Sequence, residues 1–565
     1  MKHARVLSLI IASILVSYAP YAGADVSATP VAEFVRGKTS GRIIFAKGDE
    51  VTTAGSAREQ AENFISQSAS TLGSGVTSFK TSHEERDSLG MSHIKYQQYY
   101  RTFPVLGAEL SVHTTSAYAL SSAGIAITPN LRTKSVASLS LAKALKVAIG
   151  AWQKQFESKA RPKVMGTPAR YILDLGLIKN AAVSSPRLVW EVDLTGGSGV
   201  TDYKYYIDAQ DGTVRLALAQ SQGQAMPIDR KIYDCSQPPP TGDSYRCPKV
   251  VINGYTYGRL ENDPVVGPNP SCMPATDTDD LYAKLAVIHQ FWWDNFQRNG
   301  GSGKGGTGDG YYYPTRTYAY AYSDFSPGWT CPGASQYRGT ISFCGGLVAK
   351  DDTVSHEYAH TVVESSHFDA QSGLAVGMLY QGESGALNES HSDVMGQMYE
   401  IYLTGTTDWV NTPGYSFTRV LYDPPSAISE SAGTPLPDRF NSPYVYCGSG
   451  DHSGVHWNST IPSKAAYLMS RGGYFNGCTI TPIGESKMQQ ILYRAVTLYY
   501  PQTGTFNHAY NDQMQSCQDL IGQFGITADD CVQVGRALQA VEMDQPGACS
   551  GLPASVPGCV DLIGW

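Results

Sequence analysis

His356-Glu357-Tyr358-Ala359-His360 is the stretch on which the reading of this chain turns. On a helix, residues four apart share one face, so the two imidazoles can reach a single metal ion. Glu357 is turned about 100° from His356, near enough to hydrogen-bond a water beside that ion without displacing it, as a general base must. Two histidines leave a catalytic zinc one protein ligand short. The candidate is Glu389, in Glu383-Ser-Gly-Ala-Leu-Asn-Glu389-Ser-His-Ser-Asp393. Asp393 lies four residues further on the same helical face, free to accept the N–H of a ligand histidine and fix its tautomer. His391 and His367 compete as third ligand, but His391 faces away from Glu389 on a helix and His367 follows the end of the metal helix. The plain alternative is a solvated helix face that carries two histidines by accident.

Outward from this motif the chain changes character. After Thr353 the apolar spacing is helical, predicting helices over 353–366, 385–403, 459–470, 486–500 and 507–524. From about Ile228 to that point the sequence is Tyr- and Gly-rich, including Gly300 to Gly310 and the run Tyr311 to Tyr322, and reads as strands and loops. The body therefore has a β-rich half followed by an α-rich half. Ahead of it, Val31 to Thr115 reads as a small α+β unit, with a helix over 56–72 and strands over 94–100 and 106–114. A second unit follows, with a helix over 140–156 and strands over 170–175, 188–194 and 202–208. Small and polar, Ser221 to Pro227 marks a processing boundary.

The chain has 565 residues, 42% hydrophobic and 16% charged, enough to bury a sizeable core in two to four domains and too apolar for disorder. The strongly apolar run Leu7 to Val16, preceded by Lys2, His3 and Arg5 and followed by Ala22-Gly23-Ala24, reads as a secretory signal cleaved after Ala24. The protein is thus exported, and no other run is long enough to span a bilayer. Charge divides at the expected boundary: Asp25 to Ser221 holds 22 Lys+Arg against 17 Asp+Glu, and Gln222 to Trp565 holds 18 against 33. The leader and the body should attract each other, and an acidic body argues against nucleic acid or an anionic membrane as partner. All 11 cysteines lie at or after Cys235, as expected of an oxidised exported body behind a leader that folds without bridges. Short separations favour Cys331 with Cys344, Cys447 with Cys478, Cys517 with Cys531 and Cys549 with Cys559, leaving Cys235, Cys247 and Cys272 to share one bridge.

The order of the His356–His360 motif, Tyr380-Gln-Gly-Glu-Ser-Gly-Ala-Leu-Asn-Glu389 and Ser392-Asp393 resembles the thermolysin family of zinc metalloproteases. Downstream, Asp451-His-Ser-Gly-Val-His456-Trp-Asn-Ser459 running into Lys464-Ala-Ala-Tyr-Leu468 is similar to that family's second catalytic segment. Upstream, Tyr96-Gln-Gln-Tyr-Tyr-Arg101 with Gly107-Ala-Glu-Leu110, and Leu188 to Leu194 with Tyr205 to Gly212, resemble its two propeptide modules.

The resemblance implies an α+β, two-lobed thermolysin-like catalytic domain preceded by two small α+β propeptide modules. It divides the chain into a signal peptide (1–24), propeptide modules (25–135 and 136–221), an N-terminal lobe with the zinc helix (222–365) and a helical C-terminal lobe with a short tail (366–565). It makes His356, His360 and Glu389 the ligands of one catalytic zinc, Glu357 the base and Asp393 the partner of a ligand histidine. Tyr380 and His456 become hydrogen-bond donors to the oxyanion, with Asp451 orienting His456. Asp352, Glu400 and Asp408 align with ligands of one structural calcium. Arg439 loosely matches the arginine that holds the substrate carbonyl. Leu347 is expected to line an apolar pocket favouring a bulky hydrophobic residue after the cleaved bond.

The activity implied is a secreted, monomeric zinc endopeptidase that cuts extracellular proteins and peptides. It is made as an inactive precursor, with its own propeptide as chaperone and inhibitor. Two rivals are another peptidase with the same histidine motif and a non-catalytic extracellular binding protein on the same scaffold. Two stretches depart from the family pattern. Extra residues around Ser365 to Ser372 predict a surface loop near the cleft, and Tyr322 to Trp329 matches the substrate-binding edge strand poorly.

Overall fold

The computed structural model describes residues 33–48, 55–155, 161–182, 185–195, 203–219, 276–301, 347–369, 375–415, 417–429, 433–552 and 559, with short strands between 231 and 344. The signal reading at 1–24, the boundary at Ser221 and the cysteines Cys235, Cys247, Cys272 and Cys331 lie outside these residues.

The N-terminal region forms one large sheet. Its strands are β1 (Glu33–Arg36), β2 (Ile43–Lys47), β3 (Ser78–Arg86), β4 (Ser92–Tyr100), β5 (Phe103–Thr114), β6 (Leu120–Ala126), β7 (Lys163–Leu173), β8 (Arg187–Thr195), β9 (Tyr203–Asp208) and β10 (Val214–Ala219). The order is β1-β2-β6-β5-β7-β8-β9-β10, with β4 on β5 and β3 on β4. A single parallel pair, Val105 opposite Ile172, joins the first six strands to the last four. The two expected α+β units are therefore halves of one continuous sheet.

Helices α1 (Ala57–Gln67) and α2 (Ala69–Leu72) follow β2. Ser56 and Glu59 close a capping box at the start of α1, satisfying two otherwise orphaned N–H groups. Through Ala57, Ala61 and Phe64, α1 covers Ile94, Tyr96, Leu110 and Val112, one set of alternate residues of β4 and β5. Helix α3 (Leu141–Gln155) covers the other half with Ala144, Ala148 and Trp152 against Val192, Leu194, Tyr205 and Ile207, and a short α4 (Leu175–Ile178) follows β7.

The opposite face of β4 and β5 carries His93, Lys95, Glu109, Ser111 and His113, which alternation alone would assign to solvent. Each is at most 6% exposed. The helical lobe covers them: Lys95 Nζ donates to Ser366 O at 3.2 Å, and His113 stacks on Tyr499 with ring centroids 4.1 Å apart. The expected loop after Ser365 belongs to this contact. Ser365, Ser366 and His367 are buried, and Phe368 stacks on His83 at 4.7 Å, so the segment docks on the N-terminal sheet.

The lobe itself comprises α5 (Thr276–Phe296), α6 (Asp351–Glu364), α7 (Gly382–Thr404), α8 (Asp451–Asn458), α9 (Thr460–Arg471), α10 (Glu485–Arg494), α11 (Phe506–Asp519) and α12 (Ala528–Ala540). Helix α5 corrects the reading of 228–352 as strand and loop: Leu281, Leu285, Ile288 and Trp292 enter the same core as α6, α7 and α9 to α12. Glycine lets the central helices approach. A Cβ at Gly396 of α7 would sit 2.7 Å from Asp352 O of α6, and one at Gly385 would sit 2.4 Å from Val455 of α8. Among the described residues no helix is long and apolar enough to cross a membrane.

Two disulfide expectations are overturned. Cys447 bonds Cys549 and Cys478 bonds Cys559, with Cα separations of 5.3 and 5.2 Å; the pair Cys517–Cys531 is as expected. The C-terminal segment folds back across the lobe, so spatial adjacency prevails over short sequence separation.

Candidate metal centre

Helix α6 is buried on every side from Asp352 to Glu364, so its polar side chains need partners within the protein. The buried length of α7 from Ser384 to Tyr399 supplies several. His356 and His360 project toward Glu389 and Asp393, each pair four residues apart on its own helix. His356 Nε2 lies 3.0 Å from His360 Nε2. His356 Nε2 is 3.4 Å from Glu389 Oε2, and His360 Nε2 is 3.4 Å from Glu389 Oε1. Among the described residues this is the group of three whose ligand atoms lie within 4.8 Å of one another.

The outer nitrogens are held as well. His356 Nδ1 lies 2.8 Å from Asp393 Oδ1, while His360 Nδ1 meets Asn388 Oδ1 at 2.9 Å and Ser392 Oγ at 3.0 Å. Asp393 is gripped in turn by Arg419, with Nε to Oδ2 at 2.7 Å and Nη2 to Oδ1 at 2.6 Å. Such outer partners fix ring orientation and leave both Nε2 lone pairs free to point inward.

The protonation pattern fits a cation site. Burial disfavours the charged form of His356, but Asp393 and Glu389 outweigh it and hold that ring up to about 10. Burial pushes His360 down to about 4 despite Glu389. Two imidazoles facing each other across one carboxylate compete for a single proton. Within the protein, Glu389 Oε2 is met only by the long 3.4 Å contact from His356 Nε2. A divalent ion in place of that proton satisfies all three ligand atoms, and a nitrogen, nitrogen, carboxylate set suits zinc with one position open.

Glu357 is buried beside the group. Burial raises its carboxyl to about 7, with His356 opposing and Glu389 adding to the shift. Tyr380, just ahead of α7, donates its hydroxyl to Glu389 Oε1 and lies 3.2 Å from His456 Nε2. His456 Nε2 is 3.4 Å from Glu389 Oε1, and its Nδ1 is 2.5 Å from Asp451 Oδ1. Asp451 also accepts from His456 N at 2.8 Å. The side chain of His456 is 46% exposed, which places the Tyr380–His456 pair on the open side of the cluster.

Other expected residues lie elsewhere. Arg439 pairs with Asp438 at 3.1 Å and Glu542 at 3.6 Å, not with the cluster; the arginine that meets it is Arg419, which sequence reading missed. Nothing in the pattern around Arg419 marks it, because its partner lies on another element. Asn388, inside the quoted motif, carried no assigned role either. His391 is buried near Trp292 and pushed down to about 3 by burial, and His367 Nε2 meets Tyr500 O at 2.8 Å; neither joins the group. Leu347 is fully buried in the lobe core. Asp352, Glu400 and Asp408 do not bring their oxygens within 4.8 Å of one another. Asp352 accepts from Thr412 N, Asp408 from Val410 N at 2.8 Å, and buried Glu400 Oε2 has no hydrogen-bond partner.

Residues 376–543 match the family described as thermolysin metallopeptidase, alpha-helical domain, and residues 77–124 match the fungalysin/thermolysin propeptide motif. Thermolysin of Bacillus sp. (strain EA1) is 28% identical over 498 residues, covering 81% of this chain and 84% of its own. Neutral protease NprE of Bacillus pumilus is 31% identical over 272 residues, covering 46% of this chain and 75% of its own. Among solved structures, the precursor of protealysin, a metalloproteinase from Serratia proteamaculans, has a TM-score of 0.40 at 21% identity, covering 57% of this chain and 89% of that one.

Proposed function

Because the chain belongs to the thermolysin-like family of zinc metalloproteases, endopeptidases made as precursors with a propeptide, we propose that His356, His360 and Glu389 hold the zinc and Glu357 is the general base. The observation that carries this reading is the convergence of two Nε2 atoms and a buried carboxylate within 4.8 Å, beside a buried glutamate raised to about 7. When bound, zinc supplies Lewis-acid polarisation of the scissile carbonyl and of the attacking water. Glu357 takes the proton of that water on its carboxylate and delivers it to the leaving amine. A carboxyl near neutrality suits both halves of that transfer.

His456 Nε2 and Tyr380 Oη donate to the oxyanion that develops on the carbonyl carbon's oxygen, where preorganised donors act most strongly. Burial disfavours a charge on His456, but Glu389 and Asp451 outweigh it and raise the ring to about 9, so with its Nδ1 proton held by Asp451 the imidazolium still carries an Nε2 proton to donate. Asp393, clamped by Arg419, keeps His356 in register for the metal.

The reading extends to export behind the signal at 1–24, a propeptide ending near Ser221, a monomeric mature enzyme, and one calcium on Asp352, Glu400 and Asp408. The unpartnered Glu400 Oε2 supports the calcium. It also includes a preference for a bulky hydrophobic residue after the cleaved bond, with Leu347 behind that pocket. The deciding experiment compares wild type with Glu357→Gln for cleavage of casein and a blocked peptide, with zinc measured by mass spectrometry. The variant should keep about one zinc and lose two or more orders of magnitude in kcat, the usual contribution of a general base. A variant that cuts at the wild-type rate overturns the assignment.

A further inference from the structure

The segment that presents His456 is a left-handed turn closed by Ser453 N and Gly454 N, which donate to Gly450 O at 2.9 and 3.0 Å. Asp451, His452, Ser453 and Gly454 have φ of 47, 48, 68 and 83°, four consecutive left-handed residues of which three carry a Cβ. The Cβ of each non-glycine residue there is crowded against its own backbone, and such runs persist only where the surroundings over-determine them. Cys447, Gly448, Ser449 and Gly450, just before them, are exposed and take little constraint from the core, whereas Gly454 and Val455 at the inner end are buried.

Tyr446 supplies part of the constraint. Tyr446 N donates to Asn458 Oδ1 at 3.0 Å, and Asn458 Nδ2 donates back to Tyr446 O at 3.0 Å, closing the two ends of the segment. Gly450 N donates to Tyr446 Oη at 3.0 Å, and the Tyr446 ring lies 4.1 Å from that of Trp457. A Cβ at Gly448, Gly450 or Gly454 would meet Tyr446 at 2.5, 2.7 or 2.9 Å, so the loop is wrapped tightly round this one ring.

Tyr446 is tied further by the disulfide on the next residue. Cys447 bonds Cys549, whose segment is anchored independently of the loop. Ala548 N donates to Phe440 O at 3.1 Å, Asn441 Nδ2 to Pro546 O at 2.9 Å, and Asn507 Nδ2 of α11 to Gln545 O at 3.0 Å. Gly547 rests on the Phe440 ring so closely that a Cβ would lie 2.4 Å from it. We propose that the Cys447–Cys549 disulfide is a positioning element for the reaction: it transmits the rigid anchorage of segment 540–550 to Tyr446, and through Tyr446 holds Asp451 and His456 in their strained, donor-ready arrangement. The inference rests on the reading of His456 as oxyanion donor.

The test uses zinc-loaded enzyme produced from the full chain and measures kcat and KM on a blocked peptide. Cys447→Ser/Cys549→Ser should lower kcat about tenfold with KM within twofold and zinc unchanged, because misplacing a donor by a fraction of an ångström weakens transition-state contacts more than substrate binding. In a His456→Ala background the same pair of substitutions should cost nothing further, a non-additivity that general loosening of the fold does not produce.

A second route avoids any folding defect. Cys447 and Cys549 are exposed, whereas Cys478, Cys517 and Cys531 are at most 1% exposed, so brief dithiothreitol treatment should open the first bridge ahead of the other two described. Peptide mapping after alkylation should find label on Cys447 and Cys549 with kcat reduced to the level of the double variant, and reoxidation of an unalkylated sample should restore it. If the opened bridge leaves kcat within twofold of wild type while His456→Ala is slow, the disulfide has no positioning role. If His456→Ala is itself unaffected, the donor reading falls and this inference falls with it.

Discussion

Two buried polar clusters border the helical lobe, and they are built on different plans. Between α6 and α7, His356, His360 and Glu389 turn their ligand atoms toward one point, with both imidazole Nε2 atoms 3.4 Å from the one carboxylate. Between the N-terminal sheet and α10 and α11, most charges close in pairs, Asp512 being the exception, with both carboxylate oxygens buried and without a hydrogen-bond partner. Arg494 bridges Asp87 at 2.6 Å and Asp519 at 3.0 Å, His93 Nε2 meets Asp87 at 2.8 Å, and Lys95 lies 3.7 Å from Glu109. Convergence on a shared point is what a metal and its chemistry need; pairwise closure is what docking two surfaces needs. Both clusters are equally buried, so burial does not tell them apart. The direction of the lone pairs does.

The sharpest way to break the contrast is to remove one charge from each cluster. In Asp393→Asn, the buried Arg419 loses the carboxylate it holds through two hydrogen bonds, and His356 loses its Nδ1 partner. Breaking a buried pair on one side costs about 3–5 kcal/mol, and loss of such an outer partner weakens metal binding by about 10–100-fold. Chemical denaturation and zinc titration read the two effects separately.

In Asp87→Asn, Arg494 keeps Asp519, and the turn bonds from Leu89 N and Met91 N can still reach the amide oxygen. The expected cost is about 2 kcal/mol, that of one hydrogen bond to a charged group. Amide exchange of β4 and β5 in the full chain should quicken about thirtyfold if it proceeds through undocking. If the two substitutions cost the same, the distinction between converging and paired clusters loses its energetic content.

What could be read in advance follows the same division. The motif residues of α6 and α7 were legible because each pair is four apart within one helix, so chain order already contains the geometry. The α6–α7 helices and five of the ten strands of the N-terminal sheet, β4, β5, β7, β8 and β9, were legible from periodicity for the same reason. Arg419 was not, since it reaches Asp393 from a two-residue strand across 26 positions and leaves no local pattern. Helix α5 does carry core residues at helical spacing, Leu281, Leu285, Ile288 and Trp292, but it is embedded in Gly- and Tyr-rich sequence that reads as strand and loop. The polar face of β4 and β5 is the clearest limit: period two says which residues share a face and nothing about what covers it. The disulfides fail on the same ground, because a returning segment places Cys549 beside Cys447 irrespective of their separation of 102 residues.

The smallest expected effect bears on that covered face. Its two histidines are held neutral. Burial lowers His93, with the Asp87 bond opposing and Arg494 assisting, and burial lowers His113 well below its ordinary value, with His93, Lys95 and Arg494 adding to it. A histidine whose docked value is depressed leaves docking unaffected above its free value near 6.5 and weakens it progressively below that, because the undocked state then binds the extra proton. Between pH 6.5 and 5.5 each histidine should cost about 1 kcal/mol of docking. Other groups on the same face titrate in the opposite sense. Burial raises Glu109 and raises Asp512 of α11 well above the usual carboxylate range, so their contribution is full at low pH and is lost as pH rises. Asp87, kept low by His93 and Arg494 against the effect of burial, loses its contribution only below its ordinary value. The raw pH curve therefore mixes opposing slopes, and the informative quantity is a difference. In His93→Gln/His113→Gln the carboxylates remain, so exchange protection of β4 and β5 should fall less on acidification from pH 6.5 to 5.5 than it does in the wild type. Parallel curves would mean that the docked histidines carry charge, and the sheet face would then be a site open to protons and not the closed, mostly paired interface that separates it from the metal centre.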